Sequence, residues 1–251
     1  MQISDGFMLS IDDHVATLRI NRPGKRNAMT AAMWRALPGV LAPLAVDPAV
    51  RVLVLTGAGG TFCSGADISE IAGLSEAGDD TRLTVTAERA LAEFPKPVIA
   101  MIEGFCVGGG CQLALACDLR FAAEDSRFGI TPAKLGLVYP PSSTRRLVDL
   151  VGPSTAKLLL YSAELIDAGR ALRTGLVDEV LASAELSERV YGLARILAGR
   201  SQLTLAAAKE IVEGRADEAR FHAWQKAARD EVPEGVAAFL ERRPPRFTWS
   251  P

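Results

Sequence analysis

The sequence predicts an α/β fold, and three observations favour it. Predicted strands and helices alternate along most of the chain, and from Leu186 to Leu240 nearly every residue favours a helix. The chain has 251 residues, 49% apolar and 23% charged, enough for one large domain or a domain with a helical appendage. A doubly wound fold also fits the alternation, but its glycine fingerprint, G-x-G-x-x-G, is missing from the sequence.

A β-hairpin and a long helix are predicted at the start of the chain. Residues 7–11 and 15–20 alternate apolar and polar side chains, as half-buried strands do. A polar, turn-rich loop with three basic side chains follows at residues 21–28. Thr30 is the expected N-cap of a helix that runs to about Ala45. One face of this helix is apolar and contains Met33, Leu37, Val40, Leu41 and Leu44.

A strongly apolar strand at residues 50–56 leads into a glycine-rich stretch that ends at Asp67 and Ile68. This stretch lacks the G-K-[ST] of a phosphate-binding loop. Asp67 is expected to cap a short helix at residues 68–72, which would leave the backbone amide near Ala66 at an exposed helix start.

The most informative stretch is a short strand at residues 98–102, followed by a glycine turn at residues 108–110 and an apolar helix to Cys117. A helix that is apolar all round is normally buried. Its first amides have no partner inside the helix, so the amides of Gly109 and Gly110 are expected to be free donors that suit a developing oxyanion. The glycines would serve equally to let helix and strand pack tightly, and both interpretations stay open at this point.

Shorter segments complete the prediction. Residues 73–80 are expected to form a mobile loop, and residues 126–139 a compact segment that lines the same cavity as the central helix. The other predicted elements are helices at 81–94, 142–151, 154–161 and 167–173, and strands at 118–122 and 177–181. Two apolar stripes in the tail contain Val190, Leu193, Ala194 and Leu197, and Leu205, Ala208, Ile211 and Val212.

Composition argues against several classes of function. The net charge is −2, so no strong field attracts nucleic acid or an anionic membrane, and no transmembrane span or signal peptide is expected. The four cysteines form no C-x-x-C pair, which favours buried free thiols in a reducing cytoplasm. The two histidines are far apart, and no G-x-S-x-G motif is present, so neither a metal site nor a serine triad is expected.

A series of different short motifs follows in order along almost the whole chain. They are Asn21-Arg22-Pro23 with Asn27-Ala28, Phe62-Cys63-Ser64-Gly65-Ala66-Asp67, Lys96-Pro97-Val98-Ile99-Ala100 with Gly104 and Gly108-Gly109-Gly110, Asp118-Leu119-Arg120, Phe128-Gly129 with Leu135-Gly136, Gly169 with Gly175-Leu176-Val177-Asp178, and Phe239-Leu240-Glu241-Arg242-Arg243. This order and spacing resemble the crotonase family, also called the enoyl-CoA hydratase/isomerase family.

The resemblance implies a spiral of repeated β-β-α units with a C-terminal helical region that builds a homotrimer, or a hexamer made of two trimers. It divides the chain into a spiral acyl-CoA-binding core at residues 1–190 and an oligomerisation region at residues 191–251. The substrate implied is an acyl-CoA thioester. Coenzyme A then enters as part of the substrate, and no cofactor is expected to stay bound.

The resemblance also implies roles for particular residues. The family's oxyanion hole falls on the backbone amides of Ala66 and Gly109, which agrees with the two exposed helix starts described above. Two such donors stabilise a thioester enolate. The expected contacts with coenzyme A, beside Ala66 itself, are Lys25, Arg26, Ala28, Asp67, Ile68, Phe239 and Arg242.

Two positions depart from the pattern of the family's hydratases. These enzymes use two glutamates to position and deprotonate water, and this chain has Gln112 and Pro132 at the corresponding positions. Neither side chain can exchange a proton near neutral pH, so standard hydration lacks its acid–base pair. Gln112 is expected either to contact the substrate or to be a hydrogen-bonded structural amide.

Decarboxylation of a malonyl- or methylmalonyl-type thioester is an alternative, because it forms the enolate without a base. The segment from Thr131 to Tyr139 resembles that of methylmalonyl-CoA decarboxylase-like members, which place a tyrosine where Tyr139 stands. Tyr139 would orient the carboxylate or supply a proton, with Thr131 as a polar neighbour, or it is simply a half-buried aromatic. Those relatives have a histidine where this chain has Ala66, so the resemblance is partial. A catalytically silent acyl-CoA-binding protein is the third interpretation.

Overall fold

The computed structural model describes residues 2–4, 6–70 and 79–250. The α/β prediction is confirmed. The strands are β1 (Gln2–Ser4), β2 (Phe7–Asp12), β3 (Val15–Ile20), β4 (Val52–Gly57), β5 (Val98–Ile102), β6 (Phe105–Val107), β7 (Leu119–Ala123), β8 (Arg127–Gly129), β9 (Ile166–Asp167) and β10 (Glu179–Leu181). The helices are α1 (Ala31–Val46), α2 (Asp79–Ala92), α3 (Gly109–Leu115), α4 (Pro141–Ser162), α5 (Ala168–Thr174), α6 (Ser183–Ala198), α7 (Gln202–Val212) and α8 (Glu218–Glu241).

The main sheet has seven strands within the described residues, in the order β1-β2-β3-β4-β5-β7-β10. The predicted hairpin of β2 and β3 is confirmed, and every pair from β3 onward is parallel. Strand β4 is buried at each of its six positions, as a central strand with both faces covered must be.

Helices cover both faces of this sheet because the strand side chains alternate. Leu53 and Leu55 of β4 belong to the same apolar cluster as Leu37 of α1. Val54, between them, belongs to the cluster on the other face, together with Val190 of α6. Helix α1 begins as predicted, because the Thr30 hydroxyl accepts a hydrogen bond of 3.1 Å from the Met33 amide.

A second, three-stranded sheet within the described residues joins β6, β8 and β9, which the sequence did not predict. These strands have only two or three residues each, too few to show a period. The small sheet positions the central glycine turn, because β6 ends at Val107 and α3 begins at Gly109. The Gly108 amide is fixed by a 2.8 Å hydrogen bond to the Gly129 carbonyl at the end of β8.

The predicted helices at 142–151 and 154–161 lie within the single element α4. Gly152 interrupts it with a non-helical backbone (φ 74°), which a glycine adopts without steric cost. The prediction of two helices is therefore correct, and they join directly at Gly152 without an intervening loop.

Helix α7 has apolar residues on two sides. Leu203, Ala206 and Ala207 are the buried apolar residues of α7, and they pack against Trp224 of α8. Of the apolar stripe named from the sequence, Leu205 is half-buried and the other three residues are exposed, Ile211 by 47% and Val212 by 86% in the single chain. The α6 stripe is correct, since Val190 and Ala194 pack on the sheet.

Two other predictions, the mobile loop and the two-part organisation of the chain, are not settled by the described residues. Of the predicted mobile loop, residues 73–78 lie outside the described residues, and 79–80 belong to helix α2. The proposed division between residues 190 and 191 falls inside α6, which packs on the main sheet, and the two-part organisation stays a prediction. Across the described residues, no helix is long and apolar enough to cross a bilayer.

Candidate active site

A cavity opens where the central glycine turn meets the segment that follows β4. Its walls include Trp34 of α1, Ala66, Gly109, Pro132 and Tyr139. Gln112 also borders it, so the central helix and the segment at residues 126–139 line one cavity, as predicted. Most of the other described wall residues are apolar, which is typical of a small-molecule site.

Glycine at position 109 brings two backbone amides together. A Cβ built on Gly109 would lie 2.8 Å from Cζ2 of Trp34 and 3.4 Å from the Ala66 nitrogen. The preceding Gly108 has φ 54°, a backbone conformation that favours glycine. The turn therefore requires glycine, and it places the first amide of α3 next to that of Ala66.

The Ala66 amide is oriented by a short bridge to Met29. The Met29 amide donates to the Gly65 carbonyl (2.8 Å), and the Asp67 amide donates to the Met29 carbonyl (2.9 Å). In a parallel bridge the intervening residue directs its own N–H the other way. Neither the Ala66 nor the Gly109 amide donates to another group among the described residues, so both are free to bind an oxygen atom.

Asp67 caps the helical turn at residues 68–70, as predicted. Its carboxylate accepts a hydrogen bond from the Ser69 amide (3.2 Å) and forms an ion pair with Arg22 (3.0 Å). Hydrogen bonds from the Ser69 hydroxyl and from Arg22 hold the pKa of Asp67 below its ordinary value. The neighbouring Ile68 is 63% exposed beside this cap.

The basic loop is anchored by its buried asparagine. The Asn27 side chain accepts from the Arg22 amide and donates to the Ala58 carbonyl, both at 2.8 Å. Lys25 and Arg26 remain exposed at the surface, with the Arg26 guanidinium 5.1 Å from the centre of the Phe105 ring. Ala28 is half-buried beside them, and its carbonyl accepts a hydrogen bond from Arg22.

Gln112 is 3% exposed, and its amide Nε2 donates to Glu88 at 2.9 Å. Glu88, which was not among the residues predicted from the sequence, is a buried carboxylate of α2 that lies directly behind the cavity wall. Its position three residues before the buried Leu91 places it on the apolar face of the helix. That unusual placement was the available signal.

Tyr139 is half-buried, and its hydroxyl donates a long hydrogen bond (3.4 Å) to the Gly108 carbonyl. Burial, followed by the nearby Cys111 and Glu88, raises the pKa of Tyr139 well above its ordinary value, so the phenol stays protonated at neutral pH. Pro132 begins a 3-10 turn at the cavity wall. The Thr131 hydroxyl lies 3.4 Å from a Cβ built on Gly108, behind the lining.

Phe239 and Arg242 lie apart from this cavity in the single chain. Phe239 is 83% exposed, and Arg242 ends α8 in a left-handed conformation (φ 55°). Neither residue lines the cavity. Their proposed contact with coenzyme A, like the other residue roles taken from the resemblance, stays a prediction.

Comparison with known proteins identifies the family of this chain. The enoyl-CoA hydratase/isomerase family model matches residues 10–250, and the chain belongs to this family. It is 37% identical to a crotonyl-CoA hydratase of Syntrophomonas wolfei, over 97% of this chain and 98% of that protein. It is 36% identical to the 2,3-dehydroadipyl-CoA hydratase of Escherichia coli, over 96% of this chain and 98% of that protein.

Solved structures agree with the fold. An enoyl-CoA hydratase/isomerase family protein from Hyphomonas neptunium superposes with a TM-score of 0.92 at 37% identity, covering 97% of this chain and 98% of that one. An enoyl-CoA hydratase from Bacillus anthracis superposes with a TM-score of 0.88 at 31% identity, covering 96% and 98%. The predicted crotonase-type fold is therefore confirmed.

Proposed function

We propose that this protein binds an acyl-CoA thioester and stabilises its enolate between the amides of Ala66 and Gly109. The proposal depends chiefly on the juxtaposition of these two amides at one cavity, with neither donating to another described group. Donors fixed in this way need no reorganisation as charge develops on the thioester oxygen. One such donor contributes about 3 kcal/mol to transition-state stabilisation.

Coenzyme A is assigned to the surface beside this cavity. The exposed Lys25 and Arg26 suit its phosphates, and Ala28, Asp67 and Ile68 border the path from that loop to Ala66. Arg22 ties the two segments together through Asp67, so the loop is fixed before the ligand arrives. The nucleotide then remains outside, while the acyl group enters the apolar cavity.

Hydration or isomerisation of an acyl-CoA is the reaction that family membership supports. The names of the two curated relatives, both hydratases, support hydration in particular. In this chain Gln112 and Pro132 stand at the cavity where an acid–base pair is needed. Another group would then have to move the proton. Two carboxylates of the described lining, Asp67 and Glu70, are engaged by Arg22 and by the Ala31 amide.

Decarboxylation is the second candidate, favoured by the absence of an ionisable group at positions 112 and 132. In this reaction the bond between the carboxylate carbon and the thioester α-carbon breaks, and carbon dioxide leaves. The electron pair forms the enolate, and the α-carbon then takes up one proton. We assign this proton to the Tyr139 hydroxyl, which stays protonated and lies beside Gly108.

Mass spectrometry of the purified protein with single thioesters distinguishes the candidates. A gain of water on crotonyl-CoA supports hydration and contradicts the decarboxylase proposal. Loss of carbon dioxide from malonyl-CoA or methylmalonyl-CoA supports base-free enolate formation. If no thioester changes but coenzyme A binds, the protein is a silent acyl-CoA-binding protein.

We also propose assembly as a homotrimer, or a hexamer of two trimers, in the cytoplasm. The outward apolar side chains of α7 and α8 support assembly, since Val212, Phe239 and Leu240 are each more than 70% exposed in the single chain. The four free, buried cysteines agree with a reducing compartment. Coenzyme A is proposed to enter and leave with each substrate, without a permanently bound cofactor.

A further inference from the structure

Glu88 is a buried carboxylate on which four donors from two other helices converge. Gln112 of α3 donates at 2.9 Å to Oε2, which also accepts from the hydroxyls of Ser142 (3.0 Å) and Ser143 (2.6 Å) of α4. Arg146 of α4 donates to Oε1 at 3.2 Å and supplies the opposite charge. Glu88 itself is 1% exposed. This cluster lies behind the cavity wall, and the proposed reaction does not use it.

The cluster fixes which way the Gln112 amide points. A side-chain amide has donors at one end and an acceptor at the other, whereas a carboxylate only accepts. The NH₂ group of Gln112 must therefore face Glu88. The opposite atom, Oε1, has no hydrogen-bond partner among the described residues, and it is not enclosed by protein. Gln112 lines the cavity, and with its NH₂ group turned to Glu88, the carbonyl is the end of the side chain left to face that cavity.

This acceptor would lie beside the acyl group of a bound thioester. Gln112 follows Gly109 by three residues, so both lie on one face of α3, about 4.5 Å apart along its axis. A thioester oxygen on the Gly109 amide would place the second or third acyl carbon beside Gln112. Apolar side chains of Leu83, Leu137 and Val138 form other parts of the lining. A hydroxyl on that carbon would find its acceptor in Gln112.

We propose that Glu88 is a positioning residue, which holds the Gln112 carbonyl toward the acyl group. The pocket thereby selects acyl-CoA thioesters that carry a hydroxyl at the second or third carbon over the same chain without it. This inference rests on the proposed acyl-CoA function. A fixed acceptor gives such selectivity because the ligand without the hydroxyl leaves a desolvated carbonyl unpaired.

Titration calorimetry with 3-hydroxybutyryl-CoA, butyryl-CoA and coenzyme A tests this proposal. The wild type is expected to bind the hydroxyacyl thioester about tenfold more tightly than butyryl-CoA, the ratio that one buried hydrogen bond of about 1.4 kcal/mol gives. Gln112→Leu is expected to abolish the preference. Glu88→Gln is expected to reduce it below threefold, because an amide at position 88 allows the Gln112 amide to turn over.

A double-mutant cycle separates positioning from general stability. If Glu88 acts through Gln112, Glu88→Gln changes the preference in the wild type but not in the Gln112→Leu background. Glu93→Gln is the matched control, because Glu93 is an exposed carboxylate just beyond α2 that pairs with Arg89. It is expected to keep the full preference.

The outcomes also distinguish this inference from the proposed function. A wild type that binds neither thioester nor coenzyme A would overturn the proposed function. Equal binding of both thioesters, with the function intact, would overturn only the inference. If Glu88→Gln does not fold, Gln112→Leu alone decides, since a preference that survives there contradicts the acceptor role. A preference lost in Gln112→Leu but unchanged in a folded Glu88→Gln refutes the role of Glu88.

Discussion

At the scale of single residues, Gly109 contributes in two ways, and two substitutions at this position can separate them. Its missing side chain leaves room for Trp34, and its amide is the proposed oxyanion donor. Alanine adds a Cβ and keeps the N–H. Proline adds a Cβ and removes the N–H. Position 109 is the first residue of the helix, where a proline ring is tolerated.

We expect Gly109→Pro to lower kcat/KM by a further factor of about 100 relative to Gly109→Ala. Loss of one oxyanion donor has about that effect on rate. Steady-state turnover of the thioester identified by mass spectrometry measures it, and circular dichroism checks that both variants fold. Equal activity of the two variants would show that the amide takes no part in the reaction.

The buried thiols predict how stability depends on pH. Burial raises the pKa of Cys117 to about 12, and Cys63 shows the same shift, from an ordinary value near 9.0. Above pH 9 the unfolded chain therefore releases protons that the folded chain keeps. The free energy of unfolding must then fall as pH rises from 9 to 12.

Chemical denaturation at pH 8 and pH 10.5 of the wild type and Cys117→Ala checks this sign. We expect the wild type to lose more stability over the interval, by up to about 1.4 kcal/mol per pH unit for this one thiol. The comparison cancels every other group that titrates. Identical losses in the two proteins would mean that Cys117 ionises normally in the folded state.

At the scale of elements, α2, α3 and α4 meet at the carboxylate of Glu88. Sequence patterns predicted these helices, α2 and α4 from their residue patterns and α3 from the uniformly apolar run that follows the glycine turn. They did not predict the contact between Gln112 and Glu88, which lie 24 residues apart and meet only through packing. The short strands β6, β8 and β9 were missed for a related reason, since tertiary pairing alone defines them.

This junction predicts the result of placing at position 112 the glutamate that the resemblance to the family's hydratases implies there. Gln112→Glu would place two buried carboxylates side by side, and repulsion would raise the pKa of one of them. A shift of two units corresponds to about 3 kcal/mol of lost stability at pH 7, measured by chemical denaturation. Because that pKa is raised, the loss should shrink as pH falls toward 5.

The double variant Glu88→Gln, Gln112→Glu is the control for this prediction. It exchanges the two groups, keeps one carboxylate beside one amide, and should recover part of the stability. If the single variant is as stable as the wild type at pH 7, the two side chains do not interact as described.

At the scale of the whole molecule, the sequence predicted the fold class, the family and the meeting of the central helix with the segment at residues 126–139 at one cavity. Which face of α7 packs inward did not follow from the sequence, because both of its sides contain apolar residues. Ala206 and Ala207 pack inward, while Ile211 and Val212 face outward. Two apolar faces on one helix fit a helix that is covered from both sides in an assembly.

We therefore expect light scattering to give three or six times the mass of the chain. Phe239→Asp, which places a charge at an 83% exposed apolar position of α8, should shift the protein toward the monomer. Val46→Asp is the matched control, since Val46 is 69% exposed at the end of α1 and lies outside the tail helices. A monomeric wild type, or equal dissociation of both variants, would contradict this role of the tail.

The central claim is that Ala66 and Gly109 stabilise a thioester enolate, and one measurement tests it without depending on the reaction catalysed. Acetoacetyl-CoA ionises to an enolate that absorbs in the near ultraviolet, so a spectrophotometric pH titration gives the pKa of the bound ligand. We expect binding to the wild type to lower this pKa relative to the free ligand, and Gly109→Pro to shift it less than Gly109→Ala. If the ligand binds but its pKa does not fall, the two amides do not form an oxyanion hole.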